Sequence, residues 1–245
     1  MSQQKVAFIT GGNKGIGLET GRQLGQLGIA VVLGSRDPEK GTAAARQLKS
    51  EGIAAEAVRF DVTNPADYQA VYDYLDKKYG RLDILVNNAG ISRESFMGGN
   101  HTSTTSAEIL RETFDTNFFG AVQLTQTLLP LIRKSPAGRI VNLSSILGSL
   151  TLHATPGSPI YDAKSFAYDA SKAALNSFTI HLAHELRDTN IKVNSAHPGW
   201  VKTDMGTDAA PMEITDGAKT SVRLATLPDD GPTGGYFHMN DPLPW

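Results

Sequence analysis

The sequence predicts an α/β fold, a doubly wound and mainly parallel sheet of about seven strands with helices on both faces. Three observations support this prediction. Short apolar runs, typical of strands buried on both faces, alternate along the chain with segments of helical periodicity. Such alternation favours parallel strands joined by right-handed crossovers. A glycine-rich turn follows the first apolar run and directly precedes the first helical segment.

The first strand and helix flank a turn that is suited to phosphate binding. Val6–Ile9 is the apolar run, Thr10–Gly17 is the turn, and the helical pattern closes at Gly28. Glycines let a backbone approach a pyrophosphate closely, and a helix N-terminus supplies N–H groups and the positive end of a dipole. Many tight turns need glycine for structural reasons alone, but the position between strand and helix favours phosphate binding.

The end of the second strand, Ile29–Gly34, bears on which dinucleotide the chain prefers. Arg36 and Asp37 both follow this strand. A carboxylate here would accept a hydrogen bond from the ribose 2′-hydroxyl of NAD, whereas an arginine suits the 2′-phosphate of NADP. Asp37 also fits a structural role, as the N-cap of a helix that starts at Pro38. The sequence therefore favours NADP(H), and NAD(H) bound through Asp37 is the alternative.

The later elements continue the same alternation. Strands are predicted at Ala54–Phe60, Leu82–Val86, Gly138–Leu143, Ile191–Ala196 and Gly234–His238. Helices are predicted at Glu39–Ser50, from an N-cap at Asn64 with Pro65 in the first turn to Gly80, at about Ala107–Arg133, from Tyr168 through Leu186, and at Thr215–Leu227. Residues 92–106 and 146–167 are predicted to be irregular. No shift in composition marks a domain boundary, so residues 1–245 are expected to form one NAD(P)-binding domain.

Composition and hydropathy exclude several classes of protein. The net charge of -2 gives no electrostatic reason to expect a nucleic acid or an acidic membrane as partner. The chain has no cysteine, which excludes disulfides, thiolate catalysis and cysteine-ligated zinc. The apolar run at Val6 is too short for a signal peptide, and no stretch is long enough to span a membrane, so a cytoplasmic protein is expected. His181 and His184 share a helix face without a third ligand, and we assign no metal.

Tyr168 and Lys172 lie four residues apart at the head of a helical pattern and therefore share one helix face. A free phenol ionises near pH ~10, and a nearby ammonium group is expected to lower that pKa. The pair is chemically suited to exchange a proton with a substrate oxygen. A tyrosine that merely packs at a helix start is the alternative for these five residues alone.

Seven motifs occur in the order in which one large enzyme family carries them. They are Thr10–Gly17, Asp61-Val62, Asn87–Gly90, Asn117, Ser144-Ser145, Tyr168–Lys172, and Pro198-Gly199 with Thr203. On these motifs the chain resembles the short-chain dehydrogenases/reductases, especially the carbonyl-reductase-like members, over nearly its whole length. Each motif is modest alone, but seven in this order are specific.

The resemblance implies a Rossmann-type fold and an NADPH-dependent reduction of a ketone or aldehyde to an alcohol. It implies a catalytic set of Asn117, Ser145, Tyr168 and Lys172. The residues that it implies for binding NADP(H) are Gly11, Asn13, Lys14, Gly15, Ile16, Gly17, Ser35, Arg36, Asp61, Val62, Asn88, Ala89, Gly90, Tyr168, Lys172, Pro198, Gly199, Val201 and Thr203. Lys14 and Arg36 match basic positions of NADP-preferring members, and Ser35 stands where NAD-preferring members carry an acid.

The resemblance also places substrate loops at about 91–106, 146–167 and 200–214. These loops and their borders carry apolar residues, which favours a hydrophobic carbonyl substrate: Ile146, Leu147, Leu150, Leu152, Phe166, Trp200 and Met205. The segment between Ser145 and Tyr168 is longer than in most members. A similar insertion in some monomeric carbonyl reductases covers a dimerisation face, so a homo-oligomer is possible here but is not secured by the resemblance.

A second function remains open at this point, that of a catalytically silent protein of the same fold that senses NADP(H). Fold alone does not decide between an enzyme and a sensor. A sensor has no need of Ser145, Tyr168 and Lys172 together, so the sequence favours the enzyme.

Overall fold

The computed structural model describes residues 4–95 and 99–245. Its strands are β1 Val6–Thr10, β2 Ala30–Ser35, β3 Ala55–Arg59, β4 Ile84–Asn87, β5 Arg139–Leu143, β6 Lys192–His197, β7 Tyr236–His238 and β8 Asp241–Pro242. They form one sheet in the order β3-β2-β1-β4-β5-β6-β7-β8. Every neighbouring pair is parallel except β7 and β8. The predicted doubly wound, mainly parallel sheet is confirmed, and β8 is an edge strand that the sequence did not predict.

Helices cover both faces of this sheet. They are α1 Gly15–Gln26, α2 Pro38–Ser50, α3 Pro65–Tyr79, α4 Ala107–Phe114, α5 Gly120–Ile132, α6 Leu150–Ala154, α7 Phe166–Glu185, α8 Ile214–Gly217 and α9 Lys219–Ala225. Successive strand residues point to opposite faces. Phe8 therefore packs into a core shared with α3, α5 and α7, whereas Ile9 packs into a core shared with α1, α2 and α9.

Two helix starts follow the predicted capping chemistry. Asp37 accepts hydrogen bonds at the start of α2 from the backbone N–H groups of Glu39 and Lys40. Asn64 accepts one at the start of α3 from Ala66 N. Proline follows each cap at the first helical position. Both N-caps predicted from the sequence are confirmed, and they fix the residues at which α2 and α3 begin after β2 and β3.

The structure departs from the predicted elements in several places. The helix expected over 107–133 contains a π-helical turn at Asp115–Phe119, and the one expected over 215–227 is divided into α8 and α9. The stretch 146–167 is not wholly irregular, because a 3₁₀ turn at Ile146–Gly148 and the short α6 lie within it. Ser149 Oγ caps α6 by accepting from Leu152 N at 3.2 Å. Residues 96–98 of the predicted 91–106 loop lie outside the described residues.

The topology decides where a site can form. The seven parallel strands all end at one edge of the sheet, which places Thr10, Ser35, Asn87, Leu143 and His197 along a line of strand ends. Ligands of open α/β sheets bind outside this carboxyl edge, where the strand order reverses. Within the described residues, no helix combines the length and apolar character that a membrane crossing requires.

Candidate active site

The glycine-rich turn after β1 is held in a conformation that requires glycine. Gly11 and Gly15 have φ angles of +62° and +55°, where other residues are strained. A Cβ atom added to Gly17 would lie 2.5 Å from both the side-chain nitrogen of Asn88 and the carbonyl oxygen of Gly11. The first turn of α1 therefore packs directly against the end of β4, and a side chain at Gly17 would push the two apart.

Asn88 and Ala89 fix this turn through hydrogen bonds. Asn88 Nδ2 donates to the carbonyl oxygens of Thr10 at 2.8 Å and Gly11 at 3.3 Å. Thr10 Oγ1 accepts from the backbone N–H groups of Asn88 and Ala89, each at 2.9 Å. Both residues were predicted to bind cofactor. In this structure their hydrogen bonds hold the glycine-rich turn in place.

The N-terminus of α1 is suited to an anion. Lys14 occupies the N-cap position, and its side chain has no atom that can accept a hydrogen bond from the first turn. α2 and α3 each have a capping side chain instead. The first N–H groups of α1 thus remain available for a phosphate, and the helix dipole favours negative charge there. This chemistry fits the pyrophosphate of a dinucleotide, together with the predicted residues Asn13, Gly15 and Ile16.

The adenosine end of the predicted site contains one exposed cation, Arg36, and one carboxylate, Asp37, that caps a helix. Arg36 is exposed directly after β2. Asp37 Oδ1 accepts from Glu39 N at 3.0 Å and Lys40 N at 3.1 Å, and these bonds, the one from Lys40 first, lower the pKa of Asp37. Ser35 is buried, and its Oγ donates to the carbonyl of Asp37 at 2.7 Å. Asp37 is therefore engaged as a helix cap, and Arg36 is exposed beside it.

Asp61 and Val62 follow β3 at the same edge. Asp61 Oδ1 accepts from Thr63 N at 3.0 Å and Thr63 Oγ1 at 2.8 Å, and the carbonyl of Val62 accepts from the Tyr68 hydroxyl at 2.6 Å. These bonds shape the turn between β3 and α3. The structure places both residues beside the other strand ends, as their assignment to the cofactor site requires.

Ser145, Tyr168 and Lys172 come together from two elements. Ser145 lies just beyond β5, and Tyr168 and Lys172 lie in the first two turns of α7. All three are buried. The Tyr168 hydroxyl is hydrogen-bonded to the Ser145 side chain. Lys172 Nζ lies 5.6 Å from the centre of the Tyr168 ring. The predicted catalytic serine, tyrosine and lysine are thus neighbours in space.

Burial dominates the ionisation of this group. It raises the pKa of Tyr168 to about 12, and the hydrogen bond from Ser145 opposes that rise. Burial lowers the pKa of Lys172 to about 8. The expectation that Lys172 brings the pKa of Tyr168 down is not met in this arrangement, because desolvation of the phenolate outweighs the favourable interactions. At neutral pH Tyr168 is therefore a protonated phenol, the state that a proton donor requires.

Asn117 lies in the π-helical turn and reaches two neighbours. Its Oδ1 accepts from Ile91 N at 2.8 Å, and its Nδ2 donates to the carbonyl of Ile91 at 2.9 Å and to Ser171 Oγ at 3.0 Å. A Cβ atom on Gly90 would lie 3.4 Å from both Asn117 Oδ1 and Lys172 Nζ. Asn117 therefore ties the chain after β4 to α7 beside Lys172. A role in holding a water molecule next to Lys172 stays a prediction.

The loop after β6 is tightly folded around three of the predicted cofactor residues. Gly199 has a φ of +91°, and a Cβ atom there would collide with the sulfur of Met212. Val201 pairs with Met212 in an isolated parallel bridge, and Thr203 Oγ1 accepts from Gly206 N at 3.1 Å. A Cβ atom on Gly15 would lie 3.7 Å from the Thr203 methyl group, so this loop borders the glycine turn.

The predicted apolar substrate residues are partly exposed. Leu150 is 67% exposed, Trp200 50% and Phe166 40%, which is unusual for large apolar side chains and leaves them accessible to a ligand. Trp200 Nε1 donates to the carbonyl of Gly206 at 2.8 Å, which fixes the indole at the surface of the loop. The structure thus leaves apolar surface where the substrate loops were expected.

Lys14 bonds a residue that the sequence did not single out. Its Nζ forms an ion pair with Asp204, one residue after Thr203. The pair joins the glycine turn to the loop after β6, and both side chains are largely exposed. The partner of Lys14 in this structure is therefore a carboxylate, and a cofactor phosphate would have to compete with it.

Two further residues, His197 and Tyr236, hold the turn at Ser145 and Ile146 that follows β5. His197 Nδ1 accepts from Ile146 N at 3.1 Å and from Gly199 N at 3.4 Å, and burial lowers the pKa of His197 to about 3. The hydroxyl of Tyr236 donates to the carbonyl of Ser145. His197 could have been identified as a candidate site residue from the sequence, because it directly follows a predicted strand. Tyr236 had none, because its contact depends on β7 lying beside β6.

Comparison with known proteins identifies the family of this chain. The family described as short chain dehydrogenase matches residues 5–214. Carbonyl reductase [NADPH] 1 of Mus musculus is 34% identical, with 100% of this chain and 99% of that protein covered. Short-chain dehydrogenase/reductase 1 of Saponaria officinalis is 33% identical, with 100% and 97% covered.

Solved structures are similar over nearly the whole chain. Salutaridine reductase from Papaver somniferum superposes with a TM-score of 0.83 at 31% identity, covering 96% of this chain and 99% of that one. NADPH-bound carbonyl reductase from chicken fatty liver gives a TM-score of 0.85 at 27% identity, covering 99% and 100%. The fold is therefore shared with proteins of known structure.

Proposed function

Because this chain belongs to the short-chain dehydrogenase/reductase family of oxidoreductases, we propose that it is an NADPH-dependent reductase of hydrophobic ketones or aldehydes. One observation carries the proposal. The hydroxyls of Ser145 and Tyr168 are hydrogen-bonded to each other and lie at the carboxyl edge of the sheet. The uncapped N-terminus of α1 lies at the same edge. A proton donor and a phosphate site thus occur together at one set of strand ends.

The residues that would hold the cofactor follow from the strand ends. The first N–H groups of α1 would bind the pyrophosphate, and Arg36 would meet the 2′-phosphate. Lys172 would bond the nicotinamide ribose, as the family resemblance implies. When bound, NADPH supplies the hydride. The NADPH-bound chicken carbonyl reductase and a metagenomic short-chain oxidoreductase in complex with NADP, with a TM-score of 0.77, support this choice of cofactor.

Ser145 and Tyr168 would act together on the substrate oxygen. Their hydroxyls bond each other, so one carbonyl oxygen placed between them can accept a hydrogen bond from both. As negative charge grows on that oxygen, the bond from Ser145 strengthens and Tyr168 transfers its proton. The ammonium group of Lys172 stays largely protonated at neutral pH, because its pKa is about 8, and it would stabilise the phenolate that remains.

Exposed apolar side chains indicate the substrate class. Leu150 and Phe166 lie in the segment between Ser145 and Tyr168, Trp200 lies in the loop after β6, and all three present exposed carbon surface. Covering such surface with an apolar substrate yields about 25 cal/mol for each Å² removed from water. Bulky aryl or cyclic ketones would therefore bind better than short polar ones. The relatives' names include a neomenthol dehydrogenase of Capsicum annuum, which is consistent with a hydrophobic substrate.

A side-by-side assay tests the proposal. Purified protein is mixed with NADPH or NADH and a panel of aryl, cyclic and short polar carbonyl compounds, and loss of reduced cofactor is followed by absorbance. We expect consumption of NADPH with the hydrophobic members, and consumption at least ~10²-fold slower with Tyr168→Phe. Tight NADPH binding without consumption of NADPH across the whole panel would instead favour the NADP(H)-sensing alternative.

A further inference from the structure

The chain that follows β7 turns back and packs against the segment that carries Ser145. β8 pairs antiparallel with β7, and Leu243 N donates to the carbonyl of Tyr236 at 2.8 Å. The indole of Trp245 then stacks on the Tyr236 ring, with centroids 5.4 Å apart and planes inclined by 20°. We call residues 236–245 the β7–β8 arm. Its two aromatic rings form one packed unit, and such pairs contribute beyond the area that they bury.

The turn of this arm is anchored to α9. The backbone N–H of Met239, between β7 and β8, donates to Thr220 Oγ1 at 2.8 Å. The carbonyl of Met239 accepts from Arg223 Nε at 2.6 Å. The guanidinium carbon of Arg223 also lies 5.0 Å from the centre of the Phe237 ring. The arm is therefore fixed to the helical layer of the domain at its turn, so it can hold the residues that its two ends contact.

The first residue of the arm bonds Ser145. The Tyr236 hydroxyl is buried and donates to the Ser145 carbonyl. The same carbonyl accepts from Gly148 N at 2.8 Å, so both of its lone pairs are used. Burial raises the pKa of Tyr236 above its ordinary value of 10, so the phenol keeps its proton and remains a donor at neutral pH. The peptide that follows Ser145 is thereby fixed by a buried donor.

The last residue of the arm bonds α6. The backbone oxygen of Trp245 accepts from Thr151 N at 2.8 Å, in the first turn of this helix. The arm therefore holds the chain at Ser145 through a side chain and at Thr151 through its own backbone. The 3₁₀ turn Ile146–Gly148 lies between these two points. The whole segment 145–151 is thus held at both ends by one structural unit.

The contact with Tyr236 acts on the residue whose position matters most in this segment. β6 holds the two neighbours of Ser145, because Ser144 N donates to a β6 carbonyl at 2.8 Å and Ile146 N donates to His197 Nδ1 at 3.1 Å. The Tyr236 hydroxyl holds the serine between them. A catalytic hydroxyl has to be held within about 0.5 Å of its productive position. A group that fixes the Ser145 backbone should therefore affect turnover.

We propose that Tyr236 and Trp245 are positioning residues for Ser145, and that the β7–β8 arm holds segment 145–151 at both ends. Trp245 acts through Tyr236, because its indole packs on the ring whose hydroxyl reaches the serine carbonyl. The effect on turnover rests on the proposed reductase activity. The attachment of the arm to the segment does not, so the two are tested separately.

The experiment uses three substitutions in the full chain. Tyr236→Phe removes the hydroxyl and keeps the stacked ring, Trp245→Ala removes the stack, and Trp245→Phe keeps an aromatic ring. Tyr74→Phe is the matched control, since it removes a hydroxyl that bonds Glu56 of β3, at the opposite edge of the sheet from β8. NADPH dissociation constants, kcat and KM for a hydrophobic ketone are measured with each protein.

The kinetic constants separate a positioning role from a general loss of stability. We expect Tyr236→Phe to lose about tenfold in kcat and to keep its NADPH affinity, because a displaced serine weakens catalysis and leaves the phosphate site intact. Trp245→Ala should show the same split, whereas Trp245→Phe should stay within about twofold of wild type. The double variant Tyr236→Phe/Trp245→Ala should be little worse than the poorer single variant, since both changes act on one contact. Fully additive losses would contradict an action of Trp245 through Tyr236.

Hydrogen exchange supplies a readout that needs no substrate. The N–H of Thr151 loses its acceptor when the Trp245 backbone detaches, so its exchange rate reports the attachment directly. Exchange across 145–151 should be about tenfold faster in Trp245→Ala and in Tyr236→Phe than in wild type. Tyr74→Phe should leave exchange in this segment unchanged.

Each combination of results decides a separate part of the proposal. If wild type turns over no carbonyl compound, the proposed function fails and hydrogen exchange alone decides whether the arm holds the segment. Unchanged exchange in both Tyr236→Phe and Trp245→Ala would overturn the attachment. Faster exchange with a kcat of Tyr236→Phe within about twofold of wild type would make the arm a purely structural element and refute the positioning role.

Discussion

Lys172 Nζ donates a hydrogen bond of 2.8 Å to the carbonyl oxygen of Leu143, the last residue of β5. The lysine of α7 is thereby fixed to the strand end that carries Ser145 two residues later. This contact buries an ammonium group without a carboxylate partner in the described structure, which is why the pKa of Lys172 falls to about 8. The position of the lysine is therefore maintained at a cost in stability.

That cost predicts how stability changes with pH. The folded pKa of Lys172 lies below its ordinary value of 10.5, so the unfolded chain binds more protons between about pH 8 and 10.5 and stability rises there. The unfolding free energy of wild type should gain up to about 3 kcal/mol relative to Lys172→Met across this window. Urea unfolding of both proteins at pH 7, 8.5 and 10 measures it, and a constant difference would contradict the prediction.

Tyr168→Phe removes the proposed proton donor while keeping the ring. We expect kcat to fall by at least ~10²-fold, the lower end for general acid catalysis, with NADPH affinity roughly unchanged. Steady-state kinetics and a cofactor titration measure the two effects. Tyr72→Phe on α3 is the control, since it removes a hydroxyl from a tyrosine that packs against the core and is not part of the predicted site. Activity of Tyr168→Phe within a factor of about two of wild type would refute the assignment.

Arg36→Ala tests the cofactor preference. Charge-assisted bonds to a phosphate are worth ~1.5–3 kcal/mol, so this change should weaken NADPH by roughly tenfold and leave NADH nearly unchanged. Arg46→Ala, an exposed arginine further along α2, is the control. If wild type prefers NADH and Arg36→Ala alters neither dissociation constant, Arg36 has no part in the choice.

Ser35→Asp should shift the preference further, because a carboxylate repels the 2′-phosphate yet can accept from the free 2′-hydroxyl of NADH. Ser35 is only 1% exposed, so the variant must accommodate a charge in a closed position. Its thermal midpoint should be recorded with both dissociation constants. Folded protein with an unchanged ratio of NADPH to NADH affinity would count against the role of this position.

Trp200→Ala tests the apolar mouth of the site. The indole is fixed by its bond to Gly206 yet half exposed, so its loss should raise KM for an aryl or cyclic ketone more than for a short polar one. In wild type the hydrophobic ketone should have the higher kcat/KM. The prediction fails if a short polar ketone is the better substrate, or if Trp200→Ala affects both ketones equally.

Local chemistry made much of the fold predictable. β1 and β4 are continuous apolar runs, and Asp37 and Asn64 carry the capping chemistry of α2 and α3 in their own side chains. The π-helical turn and α6 were missed because apolar periodicity reports a helix face, not its hydrogen-bond register. β8 was missed since two residues leave no pattern to read.

The site was predictable only where a motif marks it. The spacing of Tyr168 and Lys172 was enough to mark them as candidate catalytic residues, whereas Ser145 was predicted from the family resemblance. Trp245 has no such signal, because its stack on Tyr236 exists only once β8 folds back along β7. The rise in the pKa of Tyr168 was likewise hidden, since desolvation depends on everything that surrounds the ring.

The π-helical turn at Asp115–Phe119 limits how this chain can change length. A π-helical turn accommodates one residue more than the same stretch of α-helix, so deleting one residue here would restore regular helix with little change in the orientation of α4 against α5. The deletion would instead move the residues of the turn itself, and Asn117 would no longer face Ile91 and Ser171. In a library of single-residue deletions, deletions within 115–119 should therefore give folded protein that is inactive, whereas deletions at exposed turns such as Gly52 should keep activity.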